Sequence, residues 1–181
     1  MLAFLEAYRL DLGAVSGSTS FGEPDVRSAN RGGARISAAE MAAILERRSV
    51  IQRALRKIDA DATLIGPANA VPWLPLRQLF DAFADIKGIG LSKMTKALYR
   101  KRPALIPILD SVVQQYLHDD DLGSKASFGE RGLTLVRSYK GDLDRNRTAV
   151  RAIRQELIKR GYGLTEVRIL DLLIWSIRSA S

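Results

Sequence analysis

The 181-residue chain contains no cysteine. Disulfides, thiolate zinc sites, cysteine-ligated iron–sulfur clusters and cysteine nucleophiles are therefore all excluded. There is one histidine, His118. No multi-histidine metal site can be built from it, and any Ser-His-Asp triad would depend on that residue alone. It is followed by Asp119, Asp120 and Asp121, a run that reads as a solvated acidic turn or as a divalent-cation loop. No apolar run approaches the length of a bilayer span. Residues 1–10 include Glu6 and Arg9, which is unlike a signal peptide. The expectation is a cytoplasmic monomer with no membrane partner. Period-two alternation is also missing, so the expected fold class is all-α, without internal repeats.

Hydrophobic residues make up 46% of the chain, enough for one packed core and one domain over residues 1–181. The net charge is +8 and the pI about 10.0. A basic balance of this size suits a polyanion partner, most often nucleic acid, or simply a soluble basic surface.

Helical spacing and punctuation divide the chain. Residues 2–12 read as a short helix, 13–24 as a Gly/Ser loop, and 25–35 as irregular or briefly helical. Ser37-Ala-Ala-Glu40 is a capping box, and a helix should follow to about Ile58. Its apolar positions include Met41, Ile44, Ile51 and Leu55, and its other face carries Arg47, Arg48, Arg53, Arg56 and Lys57. Further helices are expected over 74–84, 92–101, 111–118, 129–139, 148–160 and 165–178. Gly161 and Gly163 should stop the helix over 148–160. Pro103 and Pro107 forbid regular helix between them.

Two stretches carry chemistry. The first is a hairpin over about residues 85–102. Gly88-Ile89-Gly90 opens it, and from Lys87 to Arg102 there are six basic residues and no acid. A glycine turn beside a basic helix start favours a phosphate; taken alone, it is also an ordinary helix–helix turn. The second stretch, residues 103–118, reads Ile106-Pro107-Ile108-Leu109-Asp110 before a new helix. Asp110 is a catalytic candidate and equally a good helix N-cap.

Together these stretches resemble the helix-hairpin-helix DNA glycosylases, in which a Gly-x-Gly hairpin is followed by an aspartate that starts a helix. Asp110 lies twenty residues beyond Gly90, the superfamily's spacing, and Pro-Ile-Leu-Asp is similar to its adenine-excising branch. Lys101-Arg102-Pro103, Ile106-Pro107, Leu109-Asp110-Ser111-Val112-Val113 and Arg168-Ile-Leu-Asp171-Leu-Leu-Ile-Trp175 also resemble a family of small bacterial proteins, the domain of unknown function 6308 family. The resemblance implies a compact two-lobed helical bundle acting on double-stranded DNA. Gly88, Ile89 and Gly90, with Ser92, Lys93 and Lys96, would grip a DNA phosphate. Main-chain carbonyls near Ala84, Ile86 and Ile89 would hold a structural K+ or Na+. Asp110 would stabilise an oxocarbenium-like sugar or activate water while a base, rotated out of the duplex, is released.

The pattern also departs from that superfamily. The position of the Schiff-base lysine is Ser92, with Lys93 one residue later. A shift of about 100° around a helix points to a monofunctional enzyme without efficient lyase activity. The residues after Asp110 lack the polar residue often found there, and there is no iron–sulfur cluster. Asp25, Asn30 and Arg35 are base-pocket candidates. Trp73 and Tyr116 are stacking or core residues, and Trp175 reads as core. Arg145, Arg147, Arg151 and Arg154 form a second phosphate-facing or merely soluble face. A compact chain far from the repair branches suits a bulky modified base, such as a hypermodified cytosine of phage DNA, and hence a defence role. The alternatives are a DNA-binding module without chemistry and a helical protein that binds a protein partner.

Overall fold

A computed structural model describes residues 17–117 and 126–178, with the side chain of residue 178 excepted. The helix expected at residues 2–12, His118 and the run 119–121 lie outside the described residues. Among the described residues there are nine α-helices and no strand, in agreement with the all-α expectation. They are α1 (Glu23–Arg31), α2 (Ala38–Glu46), α3 (Arg48–Leu55), α4 (Trp73–Asp81), α5 (Leu91–Leu98), α6 (Ser111–Tyr116), α7 (Phe128–Arg145), α8 (Arg147–Lys159) and α9 (Glu166–Arg178). A 3₁₀ turn at Ala68–Ala70 interrupts the connector between α3 and α4.

Most helix ends have a local chemical cause. Gly22 begins α1 and donates its amide to Asp25 Oδ2 at 2.9 Å. At α2 the capping box forms as expected. The Glu40 amide donates to Ser37 Oγ at 3.3 Å, and the Ser37 amide donates to Glu40 Oε2 at 2.8 Å. Ser127 caps α7 by accepting from the Glu130 amide at 3.3 Å. Gly161, at φ 84°, ends α8 and lets the Tyr162 amide return to Leu157 O at 2.9 Å.

The helix expected from Ser37 to about Ile58 is two helices. Arg47 (φ −88°, ψ 4°) steps out of the ladder, and the amides of Val50 and Ile51 both donate to its carbonyl. The bend turns Ile51, Ala54 and Leu55 inward and leaves Val50 44% exposed. Arg102 closes the far end of α3. Its guanidinium donates to Leu55 O at 3.0 Å, to Ile58 O at 2.7 and 3.1 Å, to Ser18 O at 3.2 Å and to Lys101 O at 2.7 Å. All five donors thus meet carbonyls, which is how a buried guanidinium without a bonded carboxylate is tolerated.

One connected apolar core runs from Phe21 to Ile174. Each fully buried Leu, Ile or Phe in it contributes roughly 1.5–3 kcal/mol. The closest helix pair is α4 on α7; α9 lies on α6 and α8, α1 on α5, and α3 on α4. Val167, Leu170 and Ile174 of α9 face inward as their spacing predicts. Ile177 and Ile158 are 62% and 50% exposed, although Ile174 is buried and Leu157 packs on the core.

Candidate functional site: the hairpin and the aspartate strap

The hairpin between α4 and α5 forms where two apolar side chains anchor a turn whose other residues face solvent. Ile86 and Ile89 are buried, and Lys87, Gly88 and Gly90 are exposed. Gly88, at φ 82°, is the glycine the turn requires; Gly90 is extended (φ −96°, ψ −179°) and begins α5 without a side-chain cap. A Cβ on Gly90 would meet nothing, so its surroundings are open. The Ile89 amide donates to Ile86 O at 3.0 Å, which leaves that carbonyl one lone pair for another partner.

The basic run does not make one cationic face. Lys101 and Arg102 are buried. Lys101 Nζ pairs with Asp25 Oδ1 at 2.7 Å, and Arg102 is the α3 closure just described. Arg100 bonds Ser28 of α1. Lys93 Nζ donates to both oxygens of Glu40, at 2.7 and 2.8 Å. The run has no acid of its own, but the fold brings it two, Asp25 and Glu40. What faces outward near the turn is Lys87, with Lys96 half-buried. The Glu40 carboxylate is held below the usual range, first by the Lys93 hydrogen bond and then by the Ser37 amide.

Residues 103–105 form a turn and 106–110 continue it as a strap without regular structure, and neighbouring segments meet its backbone groups. Thr165 Oγ1 donates to Pro103 O at 2.8 Å, and the Leu64 amide donates to Ala104 O at 2.9 Å. Asp171 Oδ2 accepts the Ile108 amide at 3.3 Å. Thr95, fully buried on α5, donates its hydroxyl to Leu91 O at 2.8 Å and accepts the Leu109 amide at 3.0 Å. Gln114 Nε2 donates to Leu109 O at 2.6 Å. The hairpin's helix is therefore bonded directly to the residue before Asp110.

Asp110 ends the strap and starts α6. It is 5% exposed. Oδ1 accepts the amides of Val112 and Val113 at 3.2 and 3.1 Å, and Oδ2 accepts the indole Nε1 of Trp175 at 3.0 Å. A carboxylate offers about four lone-pair directions; these three donors leave one, on Oδ2. One turn earlier on α9, Asp171 is bonded to Arg168 at 2.7 Å and lies 3.0 Å from the Tyr139 hydroxyl, which also reaches Val167 O at 2.6 Å. The Arg168 guanidinium lies over the Tyr99 ring, 4.7 Å from its centroid. Burial pushes the Asp171 carboxyl up to about 6 against the opposing pull of Arg168, and pushes the Tyr139 phenol well above its ordinary value.

The base-pocket candidates do not gather. Asp25 is engaged by Gly22 and Lys101. Asn30 clamps Ile36 through both of its groups, at 2.8 and 2.6 Å, closing the α1–α2 loop. Arg35 is exposed at φ 54°. Trp73 begins α4, donates Nε1 to Ala68 O at 2.8 Å and carries Arg137 over its ring at 5.5 Å. Trp73 and Tyr116 are both packed partly against the core. In the second arginine group, Arg145 pairs with Asp142 and Arg154 with Glu166, while Arg147 and Arg151 are exposed. Among the described residues no cluster of three or more His, Cys, Asp or Glu is placed to hold a metal, and no helix is long and apolar enough to cross a membrane.

Sequence reasoning missed Glu40, Tyr139, Asp171 and Trp175 as members of this region. Asp171 was the visible signal: a carboxylate inside an otherwise apolar helix, four residues before a tryptophan, needs polar partners.

The arrangement is that of an all-α protein in which a glycine hairpin is tied to an aspartate-capped helix. The chain belongs to the family of unknown function DUF6308, whose model matches residues 13–178. The match takes in the hairpin, the strap and α9, the segments that carried the resemblance. None of the curated proteins matches the chain, and none of the solved structures does.

Proposed function

We propose that the chain is a helix-hairpin-helix DNA glycosylase that hydrolyses the bond between a flipped base and its sugar. The observation that carries the reading is Asp110, fixed by three donors on a strap that Thr95 ties to the hairpin helix. In this reading Gly88, Ile89, Gly90, Ser92, Lys93 and Lys96 grip the backbone beside the flipped nucleotide. Ile86 and Ile89 would supply carbonyls to a monovalent cation that stiffens the turn. As the C1′–N bond breaks, the base leaves with its bonding electrons and the sugar becomes cationic. Asp110, through its remaining lone pair, stabilises that charge or takes a proton from the water that adds to C1′.

Lyase chemistry is not expected. Lys93 stands one residue past the position of the superfamily's lysine, and two residues along a helix place it about 160° away from Thr95, the side chain that faces the strap. The second reading is a DNA-binding module without chemistry. It is favoured by the same Asp110, because an aspartate with two amides on Oδ1 is a complete N-cap.

A base-release screen separates the two. Duplexes carrying uracil, hypoxanthine, alkylated or oxidised purines, or glucosylated hydroxymethylcytosine are incubated with wild type and Asp110→Asn. Asparagine caps a helix about as well as aspartate, so the variant should fold and bind DNA but release base at least about a hundredfold more slowly. Equal release by both proteins removes Asp110 from the chemistry. No release from any duplex favours the binding module.

A further inference from the structure

The Glu40 carboxylate occupies the ground that a phosphate on the hairpin would need. Its Oε1 stands where a Cβ on Gly88 would stand, so the carboxylate packs against the bare Cα of the hairpin's central glycine. The same group takes both of its short bonds from Lys93, at 2.7 and 2.8 Å, and a third from the Ser37 amide at 2.8 Å. The Lys93 and Glu40 side chains are only 24% and 17% exposed, so the pair is set into the surface. A carboxylate and a phosphodiester share one negative charge and two acceptor oxygens, and both suit a lysine beside a glycine turn.

We propose that Glu40 is an internal stand-in for a DNA phosphate, filling the hairpin's anion position in the free protein and giving up Lys93 and Gly88 when a backbone phosphate binds. This rests on the DNA-binding reading of the hairpin and not on base excision. The exchange lowers affinity for any duplex that cannot displace Glu40, and it keeps the lysine amine paired until DNA arrives. Glu40 also serves α2, but only as the third residue of a capping box, a role that glutamine fills as well. Glu40→Gln therefore removes the charge and keeps the helix start.

The test is fluorescence anisotropy with a short fluorescein-labelled duplex across a KCl series, using wild type, Glu40→Gln, Lys93→Met and the double variant, each first checked by thermal melting. Glu40→Gln should bind about two- to fivefold more tightly than wild type, the range expected when one partly exposed ion pair no longer competes. Its log–log salt slope should match that of wild type, because Lys93 meets a phosphate in both complexes. Lys93→Met should weaken the Glu40→Gln protein more than it weakens wild type. If Glu40→Gln binds no tighter than wild type, the proposal is overturned. If that happens while binding stays salt-dependent, the protein still grips DNA and only the role of Glu40 falls. If no protein of the set binds duplex in a salt-dependent way, the DNA reading falls with it.

Discussion

Asp171 is a carboxyl group in a place where water cannot reach it, and its titration should be visible in the stability of the protein. In the fold its pKa is pushed up from 3.8 to about 6 by burial. Between those values the folded protein holds a proton that the unfolded chain has already released. Stability from this group is therefore complete below about pH 3.8, falls as pH rises, and is lost above about pH 6. The span corresponds to a change on the order of 2–3 kcal/mol. Other carboxyls work in the opposite direction, Glu40 among them, so the measurement is a difference. Urea unfolding of wild type and Asp171→Asn from pH 4 to 7 should show wild type losing stability relative to the variant as pH rises. A flat difference would mean that Asp171 releases its proton at the same pH in the folded and unfolded chain. Arg102 makes the complementary point. Its sequence setting, a run of cations beside a proline, says surface, yet it lies in the core because four carbonyls converge on it and take five hydrogen bonds. No single-residue property in the sequence announces those carbonyls, since they come from residues 18, 55, 58 and 101.

Helices, by contrast, were readable where local punctuation met an apolar stripe, as at the capping box that starts α2 and the glycine that ends α8. The break at Arg47 was not, because no glycine or proline marks it and the apolar spacing continues through it. Nor was the closeness of α4 and α7, which depends on two glycines inside a helix. Glycine in a helix interior costs about 1 kcal/mol relative to alanine, so Gly129, Gly132 and Gly141 of α7 look unfavourable locally. Two of them are explained by contact. A Cβ on Gly132 would stand 2.6 Å from the Phe80 ring, and one on Gly129 would meet the Asp81 carboxylate and, at 2.8 Å, Arg77 O. At Gly141 the nearest atom is the end of the Arg145 side chain at 3.6 Å. The same substitution should then have opposite signs at Gly132 and Gly141 of the one helix α7. Gly132→Ala gains propensity but overpacks the α4–α7 contact, for a net loss of about 1–2 kcal/mol. Gly141→Ala gains roughly 0.5–1 kcal/mol. Denaturant midpoints of the two variants decide it, and a stabilised Gly132→Ala would show that α7 can retreat from Phe80 at no cost.

Taken as one body, the protein joins distant stretches of chain through polar side chains. The hairpin helix holds Leu109 through Thr95, Asp110 holds Trp175, and Asp171 holds Ile108. The twenty-residue step from Gly90 to Asp110 was readable in sequence because it is local. The contribution of α9 was not, because it comes from sixty residues further on. Charge behaves in the same way. The net +8 is the excess left after every acid is counted, but it is not gathered at the hairpin, where Lys93 is paired with Glu40 and Lys101 with Asp25. If DNA is gripped at the hairpin, the cations that meet phosphates are Lys87, Lys96 and, after exchange with Glu40, Lys93. Each phosphate neutralised contributes about −0.9 to the slope of log affinity against log salt. Three contacts give a slope near −3, or a loss of roughly 40-fold between about 50 and 200 mM KCl. A slope near −7 would mean that the exposed arginines of α3 and α8 take part and the contact is far wider than the hairpin. A slope near zero would mean that the excess charge serves solubility and that the partner is not a nucleic acid.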